Sequence, residues 1–199
     1  MDVYFIRHGQ TNGNIARRHQ HTDTPLNESG AKQVEAIVAE VAALNPTHII
    51  TSTQLRAIET TRIIAAAVTV IPETHPEFAE LGRPESLVGV RFFGFTTFLY
   101  IVWWYFGAEI KDGESYECFR QRIIRARTYL ESLPADARVV VVSHSVFTNI
   151  FIEHSCRDTK MSLWRAIRSF IKIFTLRNAG IVHLRYAREA PCRWRVIKE

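Results

Sequence analysis

Residues 139–142, Val139-Val140-Val141-Val142, are an uninterrupted β-branched run that narrows what this chain can fold into. Alternate residues of a strand face opposite sides of a sheet, so consecutive valines require both sides to be covered. That is the pattern of a central strand in a parallel sheet with helices packed on each face. The rest of the chain supplies matching parts. Residues 3–6 (Val3-Tyr4-Phe5-Ile6) and 48–51 read as further strands. Residues 31–44 set Val34, Ile37, Val38, Val41 and Leu44 at helical spacing before Asn45-Pro46 stops them, and residues 55–67 predict a second helix. Residues 68–71 predict a third strand closed by Pro72. Residues 114–133 predict a long helix with Phe119, Ile123, Ala126 and Leu130 on one stripe, ended by Pro134. Near the C-terminus, residues 181–186 and 194–197 alternate apolar and polar positions about Glu189-Ala190-Pro191, which predicts an edge hairpin. Strands alternating with helices give an α/β fold, a three-layer α/β/α sandwich about a mostly parallel central sheet. The 199 residues suit a single domain, with no repeat or low-complexity linker to divide it.

A content of 47% hydrophobic and 23% charged residues excludes a disordered chain. The N-terminus lacks the basic, apolar and cleavage segments of a secretion signal. Cys118, Cys156 and Cys192 are widely spaced, odd in number and without a CxxC pair. This argues against a disulfide framework and a zinc site, and predicts a cytoplasmic protein. The net charge of +5 is uneven: residues 1–113 carry 9 Lys+Arg against 12 Asp+Glu, and residues 114–199 carry 16 against 8. A basic second half suits an anionic small substrate or an anionic membrane surface. Nucleic acid is not expected as a partner, because the chain has no zinc-finger spacing, RNP-like stretch or run of consecutive Lys/Arg.

Two histidines stand at strand ends. His8 follows the first strand in Arg7-His8-Gly9, and His144 follows the valine strand in Ser143-His144-Ser145. Ligands of open α/β sheets gather outside the carboxyl ends of strands, so His8 and His144 are predicted neighbours despite their separation in sequence. Arg7 lies beside His8. Arg56 falls in the first turn of the second helix, where a cation opposes the helix dipole, so a functional reason for it is expected. Both offer planar, permanently charged forks to phosphate oxygens. A phosphoryl group in transfer spreads negative charge over its equatorial oxygens, so positioning and charge stabilisation carry its catalysis. A neutral imidazole is a competent nucleophile for it near pH 7.

These residues belong to a longer series: Arg7-His8-Gly9-Gln10-Thr11 with Asn14 downstream; Asp23-Thr24-Pro25-Leu26-Asn27-Glu28-Ser29-Gly30; and Thr51-Ser52-Thr53-Gln54-Leu55-Arg56-Ala57. Glu80 with Arg83-Pro84, Gly113-Glu114-Ser115 with Arg122, Ser143-His144 and Asn178-Ala179 continue it. In that order the sequence resembles the histidine phosphatase, or phosphoglycerate mutase-like, superfamily over almost its whole length. The resemblance implies a phosphoglycerate mutase-like fold and a metal-independent phosphatase, without a cofactor, that hydrolyses phosphomonoesters through a phosphohistidine on His8. It also implies that Arg7, Arg56 and His144 bind phosphoryl oxygens and that Glu80 is the general acid and then the base. Arg83 and Gln20 are expected to contact substrate, Asn14 to contact phosphate or cap a turn, and Arg122 and Asn178 to support the site. His19 and His21, an HxH pair without a clear third ligand, read as solvated rather than metal-binding. Two alternatives stay open: mutase-type transfer to another hydroxyl of the same substrate, and a non-catalytic phosphoryl-binding or membrane-docked module. The sequence is silent on oligomeric state.

The sequence also departs from the family. Members commonly carry glycine after the second histidine and an aromatic residue before the early asparagine; Ser145 and Gly13 stand there, and Gly13 is expected to leave room at the rim. In the family, the region between the acid and the Gly-Glu-Ser helix forms a variable helical lid. A lid insertion is therefore expected at about 82–112. Its residues 92–108, FFGFTTFLYIVWWYFGA, are uncharged throughout. That length is at the bottom of the roughly 17–25 residues needed to span a bilayer, and a span would split the domain. An aromatic lid forming an apolar pocket or a protein contact is the favoured reading, with a phosphorylated small molecule bearing an apolar moiety as substrate. Residues 160–177 predict an amphipathic helix with Leu163, Trp164, Ile167, Phe170, Ile171 and Phe174 on one face and Arg165, Arg168 and Lys172 opposite. Packing of that apolar face on the core is favoured, and peripheral membrane contact is the alternative.

Overall fold

The computed structural model describes residues 1–107, 109–173 and 175–198. Six strands, β1 (Asp2–Arg7), β2 (His48–Thr51), β3 (Glu73–Thr74), β4 (Arg138–Ser143), β5 (Ile181–Tyr186) and β6 (Trp194–Lys198), form one sheet in the order β3-β2-β4-β1-β5-β6. The valine strand β4 is internal, with β1 and β2 parallel on its two sides and Val140 opposite both Tyr4 and Ile49. β5 and β6 extend the sheet antiparallel as the expected hairpin.

The alternation of the valines divides the core. Val140 and Val142, with Ile6 and Ile49, meet Val34 of α2 (Glu28–Glu35) and Val41 of α3 (Val38–Ala43), which follow a short α1 (Asn12–Ala16). Ala57 and Ile64 of α4 (Leu55–Ala65) complete that layer. On the other face, Val139 and Val141, with Val3 and Phe5, meet Trp104 of α5 (Phe95–Phe106) and Phe119 and Ile123 of α6 (Tyr116–Glu131). Phe147 and Phe151 of α7 (Ser145–His154) and Ala166 of α8 (Leu163–Lys172) close it. Each large side chain buried in this way contributes about 1.5–3 kcal/mol. Both faces of β4 are fully covered, as its sequence requires.

Several expectations are corrected. The third strand is not residues 68–71 but Glu73–Thr74, after Pro72, paired with Ile50 and Thr51. Pro72 has no N–H for the ladder, and although Val68 and Val70 pack against the core, Ile71 is 85% exposed and the run joins no ladder. The helix expected over 31–44 starts earlier, because Asn27 Oδ1 accepts the Gly30 amide as an N-cap, and it breaks at Ala36-Ile37 into α2 and α3. The apolar run 92–108 yields α5, with Ala108 outside the described residues. The helix expected over 160–177 is α8, capped by Ser162. Of the apolar face expected to pack on the core, Phe170 does so beside buried Ala166 and Ser169, whereas Leu163, Trp164, Ile167 and Ile171 face solvent, and Phe174 lies outside the described residues.

The cysteine expectation also fails. Cys156, just beyond α7, and Cys192, just before β6, form a disulfide with a Cα–Cα distance of 5.3 Å. The β5–β6 hairpin brings them together by seating Trp194 against Phe151 and Tyr186, a tertiary approach that spacing in the sequence does not reveal. The inference from cysteine spacing to a reducing compartment therefore loses its premise. Cross-links across loops of this length typically stabilise by about 2–4 kcal/mol. Cys156→Ser/Cys192→Ser, or reduction by dithiothreitol, should lower the thermal midpoint accordingly while Cys118→Ser leaves it unchanged; calorimetry with and without reductant checks this.

Candidate active site

The site begins where β1 ends beside β4. The register sets Arg7 opposite Ser143, and the His8 amide donates to Ser143 O at 3.0 Å, so both histidines leave adjacent strand ends. The backbone around His8 is held from several sides: the Gly9 amide donates to Thr60 Oγ1 at 3.1 Å, and Asn178 Nδ2 donates to His8 O at 3.1 Å. Gly9 is required because a Cβ there would stand 2.5 Å from Gly30 O. Gly30 in turn lets the start of α2 press on Gln10, whose carbonyl oxygen would lie 2.1 Å from a Cβ at Gly30. His8 is buried, and its Nδ1 lies 2.7 Å from Gly9 O. A carbonyl only accepts, so Nδ1 carries the proton and Nε2 carries the lone pair. Burial, then the charges of Arg56 and Arg7, hold the His8 pKa well below its usual value, outweighing the bond to Gly9.

His144 is fully buried, with its ring 5.1 Å from that of His8. Its Nε2 lies 2.7 Å from Ser52 Oγ, which also accepts the Gln54 amide at 3.2 Å. The Ser52 hydroxyl can donate to or accept from His144 Nε2, and Nδ1 is left buried without a partner. Burial, followed by Arg56, His8, Arg7 and Arg83, holds this ring neutral as well. Arg56 is only 4% exposed. Nη1 donates to His21 O at 2.9 Å, Nη2 donates to Gln54 Oε1, and Nε has no partner. No carboxylate among the described residues bonds it, and burial drives its pKa down to about 10 although the Glu80 charge opposes this. Arg7 is similar: one nitrogen donates to Leu176 O, Nε is buried without a partner, and burial lowers its pKa. Buried cations and orphaned donors around one imidazole make an anion site, because each would otherwise be left desolvated without compensation.

Glu80 has a task that its sequence neighbourhood did not indicate. Its Oε1 accepts the Leu81 and Phe147 amides at 3.0 and 3.1 Å, and Oε2 accepts the Val146 amide at 3.3 Å. His144, the N-cap residue of α7, makes no side-chain cap, so Glu80 supplies it from another part of the chain. Arg122 fixes the backbone beneath: its fork pairs with Glu114 at 2.8 and 2.6 Å and donates to the carbonyls of Glu77, Ala79 and Glu80. A cavity of about 520 Å³, lined by Thr22, Thr53, Gln54, Glu80 and Glu114 among others, opens beside the acid.

The outer residues behave differently from one another. Asn14 caps a turn: its Oδ1 accepts from the Thr11 amide and from Asn178 Nδ2. Gln20 fills the space that Gly13 was expected to leave open, since a Cβ on Gly13 would meet the Gln20 side chain at 2.3 Å, and Gln20 Oε1 accepts from Thr11 Oγ1. Arg83 is half-buried, and its charge acts on Arg56, His144 and His19. His19 is not solvated, as its HxH setting suggested, but buried, with Nε2 3.0 Å from Thr97 Oγ1 of α5. Burial first and Arg83 second lower its pKa to about 3. His21 is exposed and lies 3.8 Å from Glu85. Sequence reasoning assigned no role to Ser52, Gln54, Thr60 or Thr11, which orient the main groups. For Thr11, Ser52 and Gln54 the available signal was their place inside the motif stretches; Thr60 lies outside them.

Comparison with known proteins identifies the family. A probable phosphoglycerate mutase of Yersinia pestis is 33% identical over 166 residues, covering 73% of this chain and 70% of the relative. A mycobacterial glucosyl-3-phosphoglycerate phosphatase solved in complex with VO3 has the same fold, with a TM-score of 0.78 at 21% identity over 100% of this chain and 98% of that one. A putative α-ribazole-5'-P phosphatase of Escherichia coli K-12 gives a TM-score of 0.77 at 22% identity over 100% and 96%. The family model of the histidine phosphatase superfamily (branch 1) matches residues 3–196, and this chain belongs to that superfamily.

Proposed function

We propose that this chain is a phosphomonoesterase, acting as one domain, in which His8 takes up the phosphoryl group. The observation that carries the reading is Arg56, a buried guanidinium without a carboxylate partner, set beside a neutral His8 whose Nδ1–H is tied to Gly9 O. The Nε2 lone pair attacks phosphorus as the bond to the leaving oxygen breaks, and Glu80 gives that oxygen its proton. Water then attacks the phosphohistidine, passing a proton to Glu80, and the N–P bond breaks to release orthophosphate. Arg7, Arg56 and the Nδ1–H of His144 receive the equatorial oxygens, with Arg83 adding charge at the rim, so no metal is needed to neutralise them. Oε2 of Glu80, with its single longer contact, is the freer oxygen for the proton.

The substrate in this reading is a small phosphorylated molecule, and α5 is its lid. Tyr100 of α5 has a buried hydroxyl without a partner, and its pKa is raised to about 12 by burial, with the charges of Arg83, Glu114 and Glu80 acting on it, which supports this reading of α5. A mutase remains a second reading because the Yersinia pestis relative carries that name. The acceptor of the phosphoryl group, water or a substrate hydroxyl, separates the two.

Wild type should hydrolyse p-nitrophenyl phosphate in EDTA and yield an acid-labile phosphoprotein on rapid quenching. His8→Ala should lose both, with turnover down by about 10³ or more. Loss of activity in EDTA, or an active His8→Ala, would overturn the assignment. Glu80→Gln should cost about 10²–10⁴ with an alkyl phosphate, whose leaving oxygen needs the proton, and distinctly less with p-nitrophenyl phosphate. An equal loss on both would reduce Glu80 to a helix cap.

Stability should follow the neutral histidines. His8, His144, His19 and His154 all have folded pKa values below the usual 6.5, so below that pH the unfolded chain binds protons that the folded chain refuses. Their contribution is complete above pH 6.5 and is lost as pH falls below it. Thermal midpoints measured from pH 7.5 to 5 should decline over that interval, whereas a flat profile would contradict the neutral pair.

A further inference from the structure

Two neighbouring helices present apolar side chains to solvent instead of to the core. On α5, Thr97, Tyr100 and Trp104 face inward, while Phe95, Phe98, Trp103 and Phe106 are 60–75% exposed. On α8, Ala166 and Ser169 face inward, while Leu163, Trp164 and Ile171 are 53–69% exposed. The two helices touch: the Trp104 and Phe170 rings lie 5.9 Å apart, and Tyr105 of α5 donates to Met161 O, just before α8, at 2.9 Å. The outward faces thus belong to two adjoining helices, and together they expose more large apolar side chains than scattered surface residues would. The core contacts of α8 are made by Ala166, Ser169 and Phe170, so the exposed Leu163, Trp164 and Ile171 are not part of them.

We propose that this patch docks the protein on the surface of an anionic lipid bilayer. Charge selects the occupant. Residues 114–199 carry 16 Lys+Arg against 8 Asp+Glu, Arg168 stands exposed at the edge of the apolar face of α8, and exposed Lys160 lies 4.7 Å from the Tyr105 ring. Two copies, each at +5, repel one another, whereas an anionic surface attracts either. Trp and Phe flanked by Lys and Arg are the composition of segments that settle at the headgroup boundary. The twelve residues of α5 extend about 18 Å, short of the ~30 Å hydrocarbon core, and no described helix is long and apolar enough to cross a membrane. The helices therefore lie in the interface, with the opposite face of α5, through Tyr100, turned toward the site.

The proposal does not depend on the chemistry at His8, and its test reads binding alone. The full chain is mixed at low salt with vesicles of phosphatidylcholine, or of phosphatidylcholine with phosphatidylglycerol, and sedimented. Binding should favour the anionic vesicles by about tenfold or more and weaken as salt rises. Brominated lipid should quench the exposed Trp103 and Trp164 and spare the buried Trp104 and Trp194. Trp103→Ser/Trp164→Ser should weaken binding about tenfold without altering p-nitrophenyl phosphate turnover or the thermal midpoint, and Arg168→Glu should weaken it on anionic vesicles only. Absence of binding to anionic vesicles, or binding indifferent to Trp103→Ser/Trp164→Ser, overturns the proposal. So does a stable dimer in sedimentation that these substitutions dissolve while vesicles go unbound, which would assign the patch to a second copy.

Discussion

The parallel pairing of β1 with β4 is the constraint on which the rest depends. Its register sets Arg7 against Ser143, and the next residue on each strand is a histidine, so ladder hydrogen bonds determine how far apart the two rings sit. A slip of one residue would turn both valine faces inside out and separate the rings at once. The same strand that organises the core therefore organises the site. Close packing of Gly9 on Gly30 then fixes the loop carrying His8 to the start of α2.

Around that frame the protein keeps positive charge in a place where folding alone would not put it. Arg56 is buried and Arg7 half-buried, neither with an ion-pair partner among the described residues, and both histidines are kept neutral by the same desolvation that makes the arginines costly. The carboxylate in the neighbourhood, Glu80, bonds to backbone amides instead. A site with this electrostatic deficit favours whatever anion fills it, and a dianion would satisfy the orphaned Nε atoms as well as the charge.

Much of this was legible in the sequence, for identifiable reasons. The Val139-Val140-Val141-Val142 run indicated a covered internal strand, and the element pattern indicated the layers, because periodicity is a local property. Arg56 stands at an unfavourable helix position in the sequence and is buried in the structure. What escaped were tertiary facts. The Cys156–Cys192 bond needs the β5–β6 hairpin to fold back, and the burial of His19 needs Thr97 from a distant helix. The outward face of α8 was missed because amphipathicity tells which residues share a face and not which way that face points.

The cap that Glu80 places on α7 has a consequence for how the two ends of the site communicate. The amides it holds belong to Val146 and Phe147, in the turn that begins directly after His144. A charged carboxylate grips backbone N–H groups more strongly than a protonated one. In the proposed mechanism a proton passing on or off Glu80 would therefore loosen or tighten the turn that follows His144.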